Sequence, residues 1–315
     1  MIFRTEIPIK QQQPQIDYDG NVVLLGSCFS NNIGEKLNYF KFDTLINPYG
    51  IVFNPVAIEN AIAESIEGKV YIQNDLIFFN ELWLSLHHHT QFSSSKVDEV
   101  LTAINNNIEL LHNALKNASH VILTLGTAWV YRYLKTDSIV ANCHKIPQKE
   151  FQKELLTTEQ VSTSLRNSIA LIKKVNKNAV VIFTVSPVRH LKDGFIENQL
   201  SKAHLLSSIH GVIPAEKNVH YFPSYEIMMD DLRDYRFYNE DMIHPNHTAI
   251  DYIWGKFTET WVSKDAYTVM NDVDTIQKGL AHKPFNPTSK QHQEFLKSIE
   301  QKINVLSKKY PSITF

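Results

Sequence analysis

The sequence predicts an α/β protein: a three-layer α/β/α sandwich around a mainly parallel five-stranded sheet, with hairpin insertions and a C-terminal helical extension. Three observations carry this. Apolar runs at 22–25, 121–125 and 179–185, rich in β-branched residues, suit strands covered on both faces. Segments with apolar residues at helical spacing lie between them. Each run ends in a short turn (Gly26-Ser27-Cys28, Gly126-Thr127, Ser186-Pro187), at the strand ends where sites form in parallel sheets.

Residues 1–20 are polar, with Gln11-Gln12-Gln13-Pro14-Gln15, and are expected as an extended lead-in. At the first strand's end Gly26 permits a turn without a Cβ clash. Ser30 is the expected N-cap of a helix over 31–40, whose Ile33, Leu37 and Phe40 share a face. A short second strand, 41–46, runs through Asn47-Pro48-Tyr49-Gly50 into a helix opening at Asn54 or Pro55. Residues 71–92 mix aromatics with alternation, like a hairpin inserted over the sheet edge. Val100, Ile104, Ile108, Leu111 and Leu115 mark a helix over 97–117. Past the third strand, 121–125, residues 129–141 alternate like a second hairpin and lead to Asn142-Cys143-His144. A helix over 158–174, capped by Thr157 or Thr158, precedes the fourth strand, 179–185. A helix over 197–210, a fifth strand at 219–222 and a helix over 224–232 follow, and Pro245 and Asn246 open a helix over 248–257. After Trp261 the strand signals stop, leaving helices over 265–279 and 288–308. A segment of about 50 residues buries little core alone, so 265–315 is expected to pack as an extension on the α/β domain of 1–264.

With 315 residues, 43% of them hydrophobic, the chain can build a sizeable core. A net charge of −2 without clustered Lys and Arg argues against a nucleic-acid or anionic-membrane partner. No run approaches the ~20 apolar residues of a membrane span. The charged start at 1–6 lacks the apolar core of a signal peptide. A soluble, cytoplasmic protein is the expectation. Two cysteines, Cys28 and Cys143, make no disulfide framework.

Two stretches, more than 200 residues apart, carry candidate chemistry. Ser27 and Cys28 stand at the C-terminal end of a strand and the positive end of a helix dipole, which exposes a nucleophile and favours its anion. Asp241-Met242-Ile243-His244 places a carboxylate three residues before an imidazole, where it can orient the ring and stabilise its protonated form.

Gly26-Ser27-Cys28-Phe29-Ser30 resembles the name-giving motif of the GSCFA domain family, with Ser30 where the name has Ala. That family is grouped with the SGNH (GDSL-type) hydrolases. The resemblance runs from Val22 to the helix after His244 and implies an SGNH-hydrolase, flavodoxin-like fold with a hydrolytic site. Laid without a gap on the superfamily's Gly-Asp-Ser-Leu-Ser block, Cys28 takes the nucleophile's position and Ser27 that of the Asp. A thiol near an imidazole also ionises more readily than a hydroxyl; Ser27 is the alternative nucleophile. The superfamily's oxyanion glycine after strand two points to Gly50. Its Gly-x-Asn-Asp block falls on Gly126-Thr127-Ala128-Trp129: Gly126 matches, while Ala128 replaces the oxyanion Asn. Thr127, Trp129 or Asn142 then stands in as donor.

His144, beside Asn142 at a strand end, is a further candidate for binding substrate, against the plainer role of a turn residue. Arg189 and His190 could hold an anionic or polar substrate group, or simply pair with Asp193 or Glu197. In His87-His88-His89 only His87 and His89 would share a strand face, and no Cys or carboxylate pattern completes a metal site; neither metal nor cofactor is assigned. The expected chemistry is acyl transfer from a small-molecule or carbohydrate ester. His244, oriented by Asp241, takes the proton of Cys28, the thiolate attacks, and water resolves the thioester. An O-acyltransferase, in which an alcohol resolves it, and a non-catalytic binding module are the alternatives. Oligomeric state is not legible.

Overall fold

The apolar runs become the core of one sheet. In a computed structural model, which describes residues 5–315, β1 (Asn21–Gly26), α1 (Cys28–Tyr39), β2 (Asp43–Ile46) and α2 (Pro55–Glu67) open the chain. A hairpin of β3 (Ile77–Phe79) and β4 (Leu82–Leu84) precedes α3 (Val97–Asn117) and β5 (Ala118–Leu125). Next come β6 (Trp129–Tyr133), β7 (Ser138–Val140), β8 (Phe151–Leu155), α4 (Thr158–Val175), β9 (Val180–Val185), α5 (Phe195–Val212) and β10 (Val219–Phe222). Then α6 (Ser224–Glu226) continues as a π turn over Ile227–Asp231, and α7 (His247–Trp261), α8 (Lys264–Ala281) and α9 (Lys290–Lys309) complete the chain. The lead-in expected as extended has no regular secondary structure from residue 5 beyond one bridge; residues 1–4 lie outside those described. At its end Ile16 bridges Val262 in parallel.

The main sheet has the order β10-β9-β5-β1-β2, and every pairing is parallel. Counted along the chain that is 2-1-3-4-5, a doubly wound sheet whose order reverses between β1 and β5. The centre is held by β5, and β1 lies between β5 and β2. Alternate side chains of each strand enter different cores. Val23, Leu25, Val121, Leu123, Val181 and Phe183 pack with α2, α3, α4 and α5. Val22, Leu24, Ile122, Val180 and Ile182 pack on the other face with α1, α7 and α8. Two-sided burial explains the unbroken apolar runs. Ile299 and Leu306 of α9 join the same core as β1's Val22. Among the described residues, no helix is long and apolar enough to cross a membrane.

The insertions differ from expectation. The first hairpin ends at Leu84, and 85–89 are turn and irregular backbone, so the strand geometry expected for the three histidines does not apply. In the second, β6 pairs with β7 and also with β8, an antiparallel strand that the sequence reading did not anticipate. The two insertions pack on each other through Leu84, Leu86, Tyr133, Val140, Ile146 and Phe151. A buried carboxylate ties the first insertion to α2. Glu64 accepts from Tyr71 Oη at 2.9 Å, Lys69 Nζ at 3.0 Å and His87 Nδ1 at 2.8 Å. Burial alone would raise the pKa of Glu64, but His87 and Lys69 outweigh it and hold the carboxyl at about 2.

Candidate active site

At the end of β1 the chain turns where only glycine fits. Gly26 has φ +139°, and a Cβ there would lie 2.2 Å from Thr124 O. Its N–H donates to Asn47 Oδ1 at 2.8 Å. Asn47, just past β2, also donates from Nδ2 to Asn31 Oδ1 at 2.6 Å and from its backbone to Leu24 O at 2.8 Å. One side chain thereby locks the turns after β1 and β2 together. Ser27 is the N-cap of α1, its Oγ accepting from Phe29 N–H at 3.2 Å. The expected cap, Ser30, instead lies inside the first turn and donates from Oγ to Thr124 Oγ1 at 2.7 Å.

Cys28 is therefore the first helical residue, half-buried, with its N–H among the unpaired groups of a helix start. Burial pushes its thiol above the ordinary value. The Cys28 and Phe29 N–H groups and the charge of Lys202 pull it back, and Asp241 adds to the rise. The site presents a protonated thiol at neutral pH, where the helix dipole alone suggested an anion.

His244 Nδ1 lies 2.6 Å from Asp241 Oδ2, and Asp241 Oδ1 accepts from the N–H groups of His244 at 3.0 Å and Ile243 at 2.8 Å. The His244 N–H and ring and the Ile243 N–H hold the Asp241 carboxyl at about 2. The arrangement leaves Nε2 as the free ring nitrogen. The loop is braced from β9's side: Arg189 donates from Nη1 to Met242 O at 2.9 Å and from its backbone to Ile243 O at 3.2 Å. Tyr238 bridges Pro245, and Asn246 caps α7 by accepting from Ala249 N–H at 3.1 Å.

Cys28 and His244 line one cavity of about 760 Å³. Of the residues singled out in the sequence, Ser27, Thr127, Asn142, Arg189 and His190 line it too. Gly50, Gly126 and His144 do not. Gly50 N–H is spent on Asn47 O at 2.7 Å, and its φ of +74° lets His89 pack where a Cβ would stand. Gly126 N–H donates to Phe53 O at 2.7 Å. His144 turns into the insertions, with Nε2 2.7 Å from Ser85 O. Thr127 Oγ1 is engaged with Ser201 Oγ at 2.8 Å, and Asn142 reaches from Nδ2 to Thr90 Oγ1 at 3.3 Å. Among the described residues the N–H groups of Ile51 and Thr127 meet no acceptor, and both residues line the cavity. The three histidines part company. His87 turns to Glu64, His88 stacks on Tyr49 at 4.3 Å, and His89 faces the cavity. No group of three or more His, Cys, Asp or Glu among the described residues gathers as a metal site.

Neither Arg189 nor His190 pairs with Asp193 or Glu197; Asp193 is held by Lys153 at 2.5 Å. His190 is largely buried, and its Nε2 has no partner. Burial first, then the charges of Lys202 and His244, holds its pKa at about 3, so the ring is neutral. Lys202 was not anticipated. It lies 1% exposed beneath the site, donating from Nζ to Gly126 O at 2.8 Å and Ser186 O at 2.7 Å. Burial drives it down to about 7, with Cys28 pulling upward. Its signal was present: Lys202, Leu205 and Ile209 repeat at helical spacing, which places the lysine on the buried face of α5.

A model of the GSCFA family matches residues 21–257, and one described as "GSCFA domain protein, C-terminal domain" matches 273–315. No curated protein matches the chain. Among solved structures, an acetyl xylan esterase (Est2A) from the rumen bacterium Butyrivibrio proteoclasticus is similar, at 9% identity and a TM-score of 0.37, over 85% of this chain. This chain spans 66% of that protein's length.

Proposed function

The chain belongs to the GSCFA family, and from that premise we propose that it is an acyl hydrolase of the SGNH (GDSL-type) kind, cleaving an ester through Cys28, His244 and Asp241. One observation carries this: an imidazole oriented by a carboxylate at 2.6 Å lines the same cavity as a cysteine at the first position of a helix. His244 Nε2 accepts the proton of the Cys28 thiol as Sγ attacks the ester carbonyl. The oxyanion is held by N–H groups, with those of Cys28, Ile51 and Thr127 unengaged and Asn142 a side-chain donor. As the carbonyl re-forms, the C–O bond breaks, and His244 returns the proton to the alcohol. Water, deprotonated by His244, then attacks the thioester; the acid leaves and Cys28 regains its proton. Because the resting thiol is protonated, the imidazole acts as a true base rather than as half of a standing ion pair. Residues 265–315, whose α9 shares β1's core, serve this unit as structure.

A second reading, a binding module without turnover, is favoured by Ala128 at the position of the oxyanion Asn. The deciding experiment is turnover of a panel of aryl esters and thioesters by the purified protein, Cys28→Ala and His244→Ala, each checked for folding by circular dichroism. Loss of activity in Cys28→Ala and a 10²–10⁴-fold fall in kcat for His244→Ala are expected. Full activity in Cys28→Ala would remove the thiol mechanism, and no turnover from any folded protein would favour the binding module.

A further inference from the structure

The cavity's charge is one-sided. Arg189, Lys145 and Lys192 line it, and among the described residues none of the three has a carboxylate partner. Asp193 is the one acidic side chain in that lining, and Lys153 neutralises it. The Asp241 carboxylate stands behind His244, committed to two N–H groups and the ring. His190, next to Arg189 in the chain and in the same lining, is neutral. A chain of net charge −2 thus carries uncompensated positive charge in the lining of this cavity. The lining also takes in apolar side chains of the insertions, Val130, Val140, Ile146 and Phe151.

We propose that the substrate carries an acidic group, a carboxylate, sulfate or phosphate, which Arg189, Lys145 and Lys192 hold while its apolar part lies against the insertion side chains. This rests on the proposed function only for the word substrate. Arg189 is fixed for the task. Nη1 is tied to Met242 O, the guanidinium lies 5.4 Å from the Phe195 ring and 5.5 Å from that of Tyr238, and its remaining N–H donors stay free for a planar anion. The same arginine braces the His244 loop, so an anion bound on it would sit beside the imidazole and against the site's base. Low-dielectric walls strengthen the attraction by focusing the field into the cavity. At about 760 Å³ the space suits a small molecule rather than a polymer segment buried whole.

The test needs no turnover. Cys28 is alkylated with iodoacetate, an anion, and with iodoacetamide, its neutral analogue, and the modified residue is mapped so that Cys143 is counted separately. The ratio of the two rates, divided by the same ratio for the unfolded chain, cancels the thiol's own reactivity. We expect a normalised ratio on the order of tenfold in favour of iodoacetate at low salt, falling towards one at high ionic strength and below one in Lys145→Glu/Lys192→Glu. A ratio of one or less in the unaltered protein, or one that salt does not move, would overturn the proposal; the salt arm decides even where the double variant fails to fold. A high ratio with no ester turned over would remove the hydrolase and leave the anion site standing.

Discussion

Ser27 and Cys28 are adjacent and do different work. Ser27 is 1% exposed and its hydroxyl is occupied as the α1 cap, whereas Cys28 opens onto the cavity. Replacing Ser27 by Ala should cost about 1 kcal/mol of stability, the usual value of an N-cap, and leave the mapped alkylation of Cys28 within a few-fold. A protein melting as before, with Cys28 silenced, would reverse the two roles. Part of the site was legible: the Asp-x-x-His spacing delivered a 2.6 Å contact, and Cys28, favoured by the gapless register with a known motif, lines the same cavity as His244. The cap was not, because Ser27 and Ser30 are equally good capping residues and only the backbone decides between them. The glycines misled for a related reason. Gly50 and Gly126 occupy the right strand ends, but their N–H groups are already spent on Asn47 O and Phe53 O, and no sequence pattern displays a donor's partner.

Asn47 belongs to the scale of elements, since it holds the turn after β1 to the turn after β2 and reaches α1 through Asn31. It has φ +44°, which asparagine tolerates well. Asn47→Ala strands the buried Gly26 N–H, so a loss of about 1–3 kcal/mol in urea unfolding is expected, together with slower alkylation of Cys28 as the turn loosens. Gly26→Ala should be worse. Backbone strain and a 2.2 Å approach to Thr124 O together cost on the order of 3 kcal/mol or more, read as failure to accumulate folded protein. The main strands were readable because burial on both faces writes unbroken apolar runs. The strand β8 was not: Gln152 and Lys153 face water, and Phe151 is its one fully buried residue, which leaves too little pattern in five positions.

At the scale of the whole molecule, the fold keeps several histidines neutral inside. Burial lowers the pKa of His88 and His190 to about 3, and it depresses His120 and His144 as well. The unfolded chain takes up protons near 6.5 at these positions and the folded one does not, so stability is full above that pH and declines as pH falls from about 6.5 towards 3. Glu64 adds to the loss below its ordinary value of 4.5, since its folded carboxyl must be driven to about 2 before it protonates. A melting temperature that drops steadily between pH 7 and 4 is expected, and a flat profile would contradict the buried, neutral rings. The sheet order was less legible than its strands, because the centre is set by crossovers rather than by apolarity: β1 and β5 are equally buried, yet only β5 is central. The proposed nucleophile and base enter this architecture from distant parts of the chain, Cys28 at the start of α1 and His244 just before α7. At ribosomal speeds of ~5–20 residues per second, roughly 10 to 40 seconds separate their synthesis. Throughout that interval Cys28 is present without the imidazole proposed as its proton acceptor and without the burial that raises its thiol, so the proposed hydrolysis has to wait until His244 has emerged and docked.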